Sequence, residues 1–169
     1  YDLIPEELHH LKPVGRLDKD STGLIILTND GEFINEMTHP SIKVPKVYLV
    51  HIDGRFTAEN AEKMLNGIVI ETDSGEKKTA YAETLPIEVN SKSSEIQVVL
   101  YQGINRQIRK MFAKLGFEVK SLKRIQHATL TLEGLKRGQI KAIKPKQVKE
   151  LKGYIAKIKR EYAQNSNNG

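Results

Sequence analysis

The sequence predicts an α+β domain, with a mixed, mainly antiparallel sheet and flanking helices. Three observations lead there. Short β-branched segments of alternating polarity recur along the chain, helical periods are interspersed among them, and no internal repeat or linker divides the whole. A doubly wound parallel sheet would instead alternate strand and crossover helix.

The first element is a strand. Residues 23–28 ("GLIILT") are a continuous apolar run ended by Asn29, Asp30 and Gly31, which predicts a buried strand and a turn; Asp30 could instead cap the next helix. Residues 32–37 carry Phe33, Ile34 and Met37 at helical spacing, and Pro40 and Pro45 interrupt the pattern. In residues 46–53 ("KVYLVHID"), Tyr48, Val50 and Ile52 fall on one face and Val47 and Leu49 on the other, so both faces are apolar and the strand belongs at the centre of the sheet. "TAENAEKMLNG" predicts a helix with Thr57 as N-cap, Gly67 past its end, and Ala61, Met64 and Leu65 as its apolar stripe. Residues 67–71, 78–89 and 94–102 are β-branched and alternating, with turns at 73–75 and 90–92, and read as an antiparallel meander.

The clearest helix is 104–115, where Ile104, Ile108, Met111, Phe112 and Leu115 make one face and Arg106, Arg109, Lys110 and Lys114 the other. Two or three further strands fit in 118–132 and 138–145, and Pro145 opens a last helix carrying Val148, Leu151, Ile155, Ile158 and Tyr162. Residues 164–169 ("QNSNNG") read as a disordered tail.

Composition narrows the function. A chain of 169 residues supports one compact domain, and zero cysteines exclude a disulfide framework and thiolate-held zinc or iron. No run approaches a membrane span and the first residues lack a signal-peptide pattern, so a cytoplasmic protein is expected, and a monomer by default. The net charge of +6 favours a polyanionic partner.

Residues 15–31 ("GRLDKDSTGLIILTNDG") place three acids around the apolar run. Asp18, Asp20, Thr22 and Gly23 imitate the start of a calcium loop, but Asn29 stands where a bidentate Glu belongs, and the strand replaces the ligand-bearing turn. The five histidines form no zinc pattern and no phosphate-binding loop occurs, so neither metal nor cofactor is expected. From these residues alone, Arg16 and Asp18 could be a surface ion pair without function.

The string "GRLD…TGLIILTNDG", with "KVYLVHIDG" and then "QGINRQIRKMFAKLG" further along the chain, resembles the successive motifs of the pseudouridine synthases, most closely the RsuA/RluB branch that modifies bacterial ribosomal RNA. The likeness extends over nearly all of residues 1–160. It implies the pseudouridine synthase catalytic fold over residues 1–163. Members of this branch usually carry an S4-type RNA-binding domain and a first strand ahead of the matched region, and the chain is read as a piece lacking both.

By the resemblance, Asp18 is the catalytic aspartate, while Asp20 is a loop residue and Asp30 belongs to the turn. Tyr48, in K-x-Y-x-V, is the tyrosine whose ring lies against the target uracil, and Arg109 is the basic residue paired with the aspartate, with Arg106 as second choice. A neighbouring guanidinium supports a carboxylate in a site from which RNA excludes water. Ile108 is expected to close the other side of the base pocket, Arg16 to help fill the space left by a flipped base, and Leu17 to join Arg16 and Arg106 in contacting substrate. Remaining lysines and arginines, including "KSLKR" (120–124) and residues 144–160, fit a diffuse RNA-facing surface.

The implied reaction breaks the C1′–N1 bond of a uridine, rotates the base and joins C1′ to C5, which needs no redox change and no cofactor. Large-subunit (23S) RNA is the favoured substrate, with small-subunit (16S) RNA second. Two rivals stand beside it. A noncatalytic RNA-binding or ribosome-assembly module with this fold would not need Asp18, Tyr48 and Arg109 together, and a carboxylate-pair glycosidase would need two acids at a defined separation.

Overall fold

The computed structural model describes residues 4–168. After a 3₁₀ turn at Glu6–Leu8, the order is β1 (Lys12–Pro13), β2 (Thr22–Gly23), β3 (Leu27–Thr28), α1 (Gly31–Thr38), β4 (Lys46–Asp53), α2 (Ala58–Asn66), β5 (Ile68–Glu71), β6 (Lys77–Ala80), β7 (Glu83–Val89), β8 (Ser93–Leu100), α3 (Gln107–Lys114), β9 (Val119–His127), β10 (Leu130–Thr131) and α4 (Pro145–Asn168). The main sheet runs β10-β9-β4-β8-β7, antiparallel throughout, and β2 adds to β9 in parallel. This is the mixed, mainly antiparallel α+β architecture that the patterning predicts.

Period-two patterning builds the centre. In β8, Ser94, Ile96, Val98 and Leu100 are buried, and they meet β4 in a continuous register from Lys46↔Leu100 to Asp53↔Ser93. Over that face lie Ile108, Met111 and Phe112 of α3 and Met64 of α2. Phe112 stands between Phe56 (ring centroids 5.8 Å apart) and Phe117 (6.4 Å). Because Phe112 is fully buried, Phe112→Ala is expected to cost about 3–5 kcal/mol through lost transfer energy and a residual cavity. Urea unfolding read by circular dichroism checks this, and a loss under about 1 kcal/mol would show that α3 is not the lid of the core.

A second core gathers Val14, Ile26, Phe33, Met37, Val44 and Ala128 under Leu151 and Ile155 of α4. The site loop, residues 14–24, therefore starts in one core and ends on the sheet that bounds the other.

Local signals hold at several ends. Asp30 caps α1, its carboxylate accepting from Phe33 N at 3.1 Å, and Thr57 and Asn60 form a reciprocal capping box on α2. Elsewhere the tertiary context overrides the pattern. The run 23–28 is two short strands, not one: β2 joins β9, β3 joins β1, and Leu24 and Ile26 are buried between them while Ile25 is exposed. The segment 78–89 divides because Tyr81 N donates to Gln102 Oε1 and Ala82 N to Met64 O, leaving β5–β6 a separate hairpin. Leu65 is exposed, so the stripe of α2 is Ala61 and Met64. Residues 138–144 form no strand, and Ile140 is exposed. The helix α4 runs to Asn168, so residues 164–168 extend its hydrogen-bonded ladder where a disordered tail was expected; Gly169 lies outside the described residues.

Candidate active site

Two segments meet over the Tyr48 end of β4. One is the loop 14–24. Val14 N donates to Ile26 O at 2.8 Å, Ser21 N closes a tight turn onto Asp18 O at 2.9 Å, and Leu24 N donates to Arg124 O at 2.8 Å. Asp18 thus sits on a turn tied at both ends, its side chain 19% exposed. The other segment is the start of α3. Arg106 precedes the helix in the left-handed region (φ 56°), which starts the helix three residues later than its apolar spacing predicts and turns the Arg106 side chain across to the loop.

The arginines are arranged differently from the expectation. The guanidinium within ion-pair distance of Asp18 is that of Arg106, with Nη1 3.8 Å from Oδ2, and not that of Arg109. Arg106 also grips Asp20 bidentately, at 3.0 and 3.1 Å. Arg109 donates from Nη2 to the Asp20 carbonyl at 2.9 Å, and its Nε lies 3.5 Å from the Asp20 carboxylate without hydrogen-bond alignment. Asp20, expected to be a plain loop residue, is therefore the hub that joins loop to helix. The hydrogen bond from Arg106 holds its carboxyl below the ordinary range.

Tyr48 is half-buried on β4, opposite Arg124 on β9 and Val98 on β8. Burial raises the pKa of its phenol, the Arg124 charge opposes that rise, and the Asp18 charge adds to it, so the three groups share one electrostatic environment. Ile108 is only 3% exposed and belongs to the main core, so it offers no open wall to a base; the helical period that brings Met111 and Phe112 inward takes Ile108 with them. Leu17 is half-buried and Arg16 exposed. The charge of Arg16 reaches Asp73, in the β5–β6 turn, whose carboxyl is lowered chiefly by hydrogen bonds from Asn105 and Lys110. Asp73 thus links Lys110, at 3.0 Å, with the charges of Arg16 and Arg106 beside the Asp18 loop.

Pattern reading missed the floor. Arg124, placed on a diffuse basic surface, is 2% exposed, and Lys46 has its pKa lowered to about 8 by burial and by the Arg124 charge. Parity along the strands carries the signal: Arg124 is two residues from buried Leu122, and Lys46 two from Tyr48. Beside them, burial and the charges of Arg124 and Lys46 push His127 down to about 3. His127 is neutral at pH 7, and the folded state refuses a proton that the unfolded chain accepts below about pH 6.5. Stability is thus unaffected above that pH and falls as pH drops from 6.5 towards 3. His127→Gln is expected to remove about 2–3 kcal/mol of the stability loss between pH 7 and pH 4.5; urea midpoints at the two pH values test it, and an unchanged acid slope would sink it.

The fold and the matched sequence have relatives. Residues 4–114 match the RNA pseudouridylate synthase family. The chain is 39% identical over 149 residues to ribosomal large subunit pseudouridine synthase B of Bacillus subtilis (strain 168), covering 88% of this chain and 59% of that protein. It is 36% identical to the dual-specificity RNA pseudouridine synthase RluF of Escherichia coli (strain K12), over 82% of this chain and 46% of that one. The chain therefore spans about half to three-fifths of these curated relatives. A solved pseudouridylate synthase superposes with a TM-score of 0.80 at 27% identity, covering 89% of this chain and 64% of the other. No helix among the described residues is long and apolar enough to cross a membrane. Sequence and fold agree: the chain belongs to the RNA pseudouridine synthase family, on its RsuA/RluB branch.

Proposed function

We propose that the cleft isomerises a uridine of ribosomal RNA to pseudouridine, with Asp18 acting on the ribose as nucleophile or base, Tyr48 supporting the extruded uracil, and Arg106 and Arg109 holding the aspartate's loop. The observation that carries this reading is the partly exposed Asp18 carboxylate on a tied turn, with Arg106 3.8 Å away but committed to Asp20, and Tyr48 in the same electrostatic environment as Asp18. Relatives named as large-subunit synthases favour 23S RNA, with 16S RNA second. The protein would act in the cytoplasm, as a monomer.

The residues supply the chemistry. A carboxylate can take up C1′ as the glycosidic bond to N1 breaks, or remove a proton that permits the cleavage, and release the sugar once C5 faces it. The hydrogen at C5 leaves to solvent. Extruding the base costs a few kcal/mol of stacking, part of which an aromatic face restores. Arg16, exposed two residues before Asp18, would enter the gap.

Tritium release from ribosomal RNA labelled at uridine C5 tests the reading, because that label leaves only when C5 becomes the glycosidic carbon. No release, with RNA still bound, would make a noncatalytic RNA-binding module the better account. Where release occurs, Tyr48→Ala is expected to slow single turnovers about 10- to 100-fold, the worth of one aromatic–base stack. A Tyr48→Ala rate equal to the parent's would remove the ring from the mechanism.

A further inference from the structure

Arg124 is a buried charge with an unusual set of partners. Its guanidinium has no carboxylate within ion-pair distance among the described residues, although burying such a cation unpaired costs several kcal/mol. It spends its donors on backbone. Nε donates to Leu24 O at 2.8 Å and Nη1 to Arg16 O at 3.4 Å, two carbonyls that flank Asp18 on either side in the chain. The main chain of Arg124 repeats the attachment, its carbonyl accepting from Leu24 N at 2.8 Å where β2 runs parallel to β9. The same residue is registered opposite Tyr48 on β4, and its charge acts on the phenol. Its Nη2 is buried without an aligned partner.

We propose that Arg124 is the positioning residue of this site: its guanidinium clamps both ends of the Asp18 turn to the strand that faces Tyr48, and so sets the distance between carboxylate and ring. The proposal rests on the isomerase reading of the cleft. Apolar side chains of similar volume would bury more favourably at this position, and a lysine cannot bridge two carbonyls with a planar fork. A guanidinium reaches the carbonyls on both sides of the turn from a residue registered opposite Tyr48. The role differs from that of Arg106 and Arg109, which hold the loop through Asp20 from the start of α3.

The test uses the full chain with Arg124→Lys and, as a neutral variant that keeps one donor nitrogen without a buried charge, Arg124→Gln. Amide hydrogen exchange reads the clamp without reference to activity. Ser21 and Leu24 amides are expected to exchange at least about 10-fold faster in both variants, while Val50 and Ile96 in the central strands stay at the parent's rate. Unchanged exchange at Ser21 and Leu24 overturns the clamp, and so does a rise at Val50 and Ile96 in both variants, which would make Arg124 a general stability residue.

Single-turnover tritium release reads the consequence. The chemical step is expected to fall about 100-fold, the effect of a misplacement near 1 Å, with RNA affinity unchanged. A rate close to the parent's, or a loss of affinity equal to the loss of rate, overturns the positioning role. A parent that releases no tritium refutes the isomerase reading instead, and the exchange data still decide whether the clamp exists.

Discussion

Asp18→Asn is expected to reduce tritium release from C5-labelled ribosomal RNA by about 10⁴-fold or more, with no loss of fold. The amide matches the carboxylate in shape but can neither attack C1′ nor take up a proton. Geometry protects the rest of the site from the change. The turn depends on the Asp18 carbonyl, which accepts from Ser21 N, and the loop is held to α3 through Asp20, on which Arg106 closes at 3.0 Å against 3.8 Å to Asp18. Stability should therefore stay within about 0.5 kcal/mol of the parent. Release by the variant within tenfold of the parent would assign the chemistry elsewhere, and Asp20 would be the next carboxylate to test.

Gly23→Ala carries the largest expected effect on the anchoring of the site loop. Gly23 has φ +117°, and a Cβ there would stand 2.2 Å from the Arg124 carbonyl oxygen and 2.5 Å from its nitrogen, both backbone atoms that cannot swing aside. Relief requires β2 to leave β9, which breaks the Leu24 N–Arg124 O bond and pulls Leu24 O from the Arg124 guanidinium. Backbone strain and the lost pairing together are expected to cost about 3 kcal/mol, and the chemical step should slow more than about 100-fold as the Asp18 turn moves. Urea unfolding and single-turnover release measure the two effects. A stability loss under about 1 kcal/mol with normal turnover would mean that β2–β9 pairing does not hold the site.

Both substitutions act on residues that the motif string displays, yet the partners that make them consequential are far away in the chain. Asp18 stands out among the three acids of residues 15–31 because the G-R-L-D string around it resembles a family motif. Asp20 did not, because its meaning comes from Arg106, 86 residues on, whose own left-handed backbone precedes α3. Arg124 lies 100 residues from the carbonyl it holds, inside a stretch whose composition is that of a solvated strand. Ile108 erred the other way: a motif neighbour of Arg109 is also a core residue of its helix, and burial decided between the two.

Local sequence was enough for what is settled within a turn or two of backbone: the period-two pattern of β4 and β8, the cap at Thr57, the apolar face of α3 and the start of α4 at Pro145. Asp30, read into a turn with a cap only as the alternative, proved to be the cap of α1. Only the assembled fold decided how residues 23–28 divide between two sheets, which arginine faces Asp18, and why a buried charged residue is registered opposite Tyr48. The physical reason is range. Periodicity and capping energies act between residues three or four apart, whereas ion pairs and buried guanidinium contacts depend on strand register, on one glycine that admits close backbone approach, and on one residue in the left-handed region.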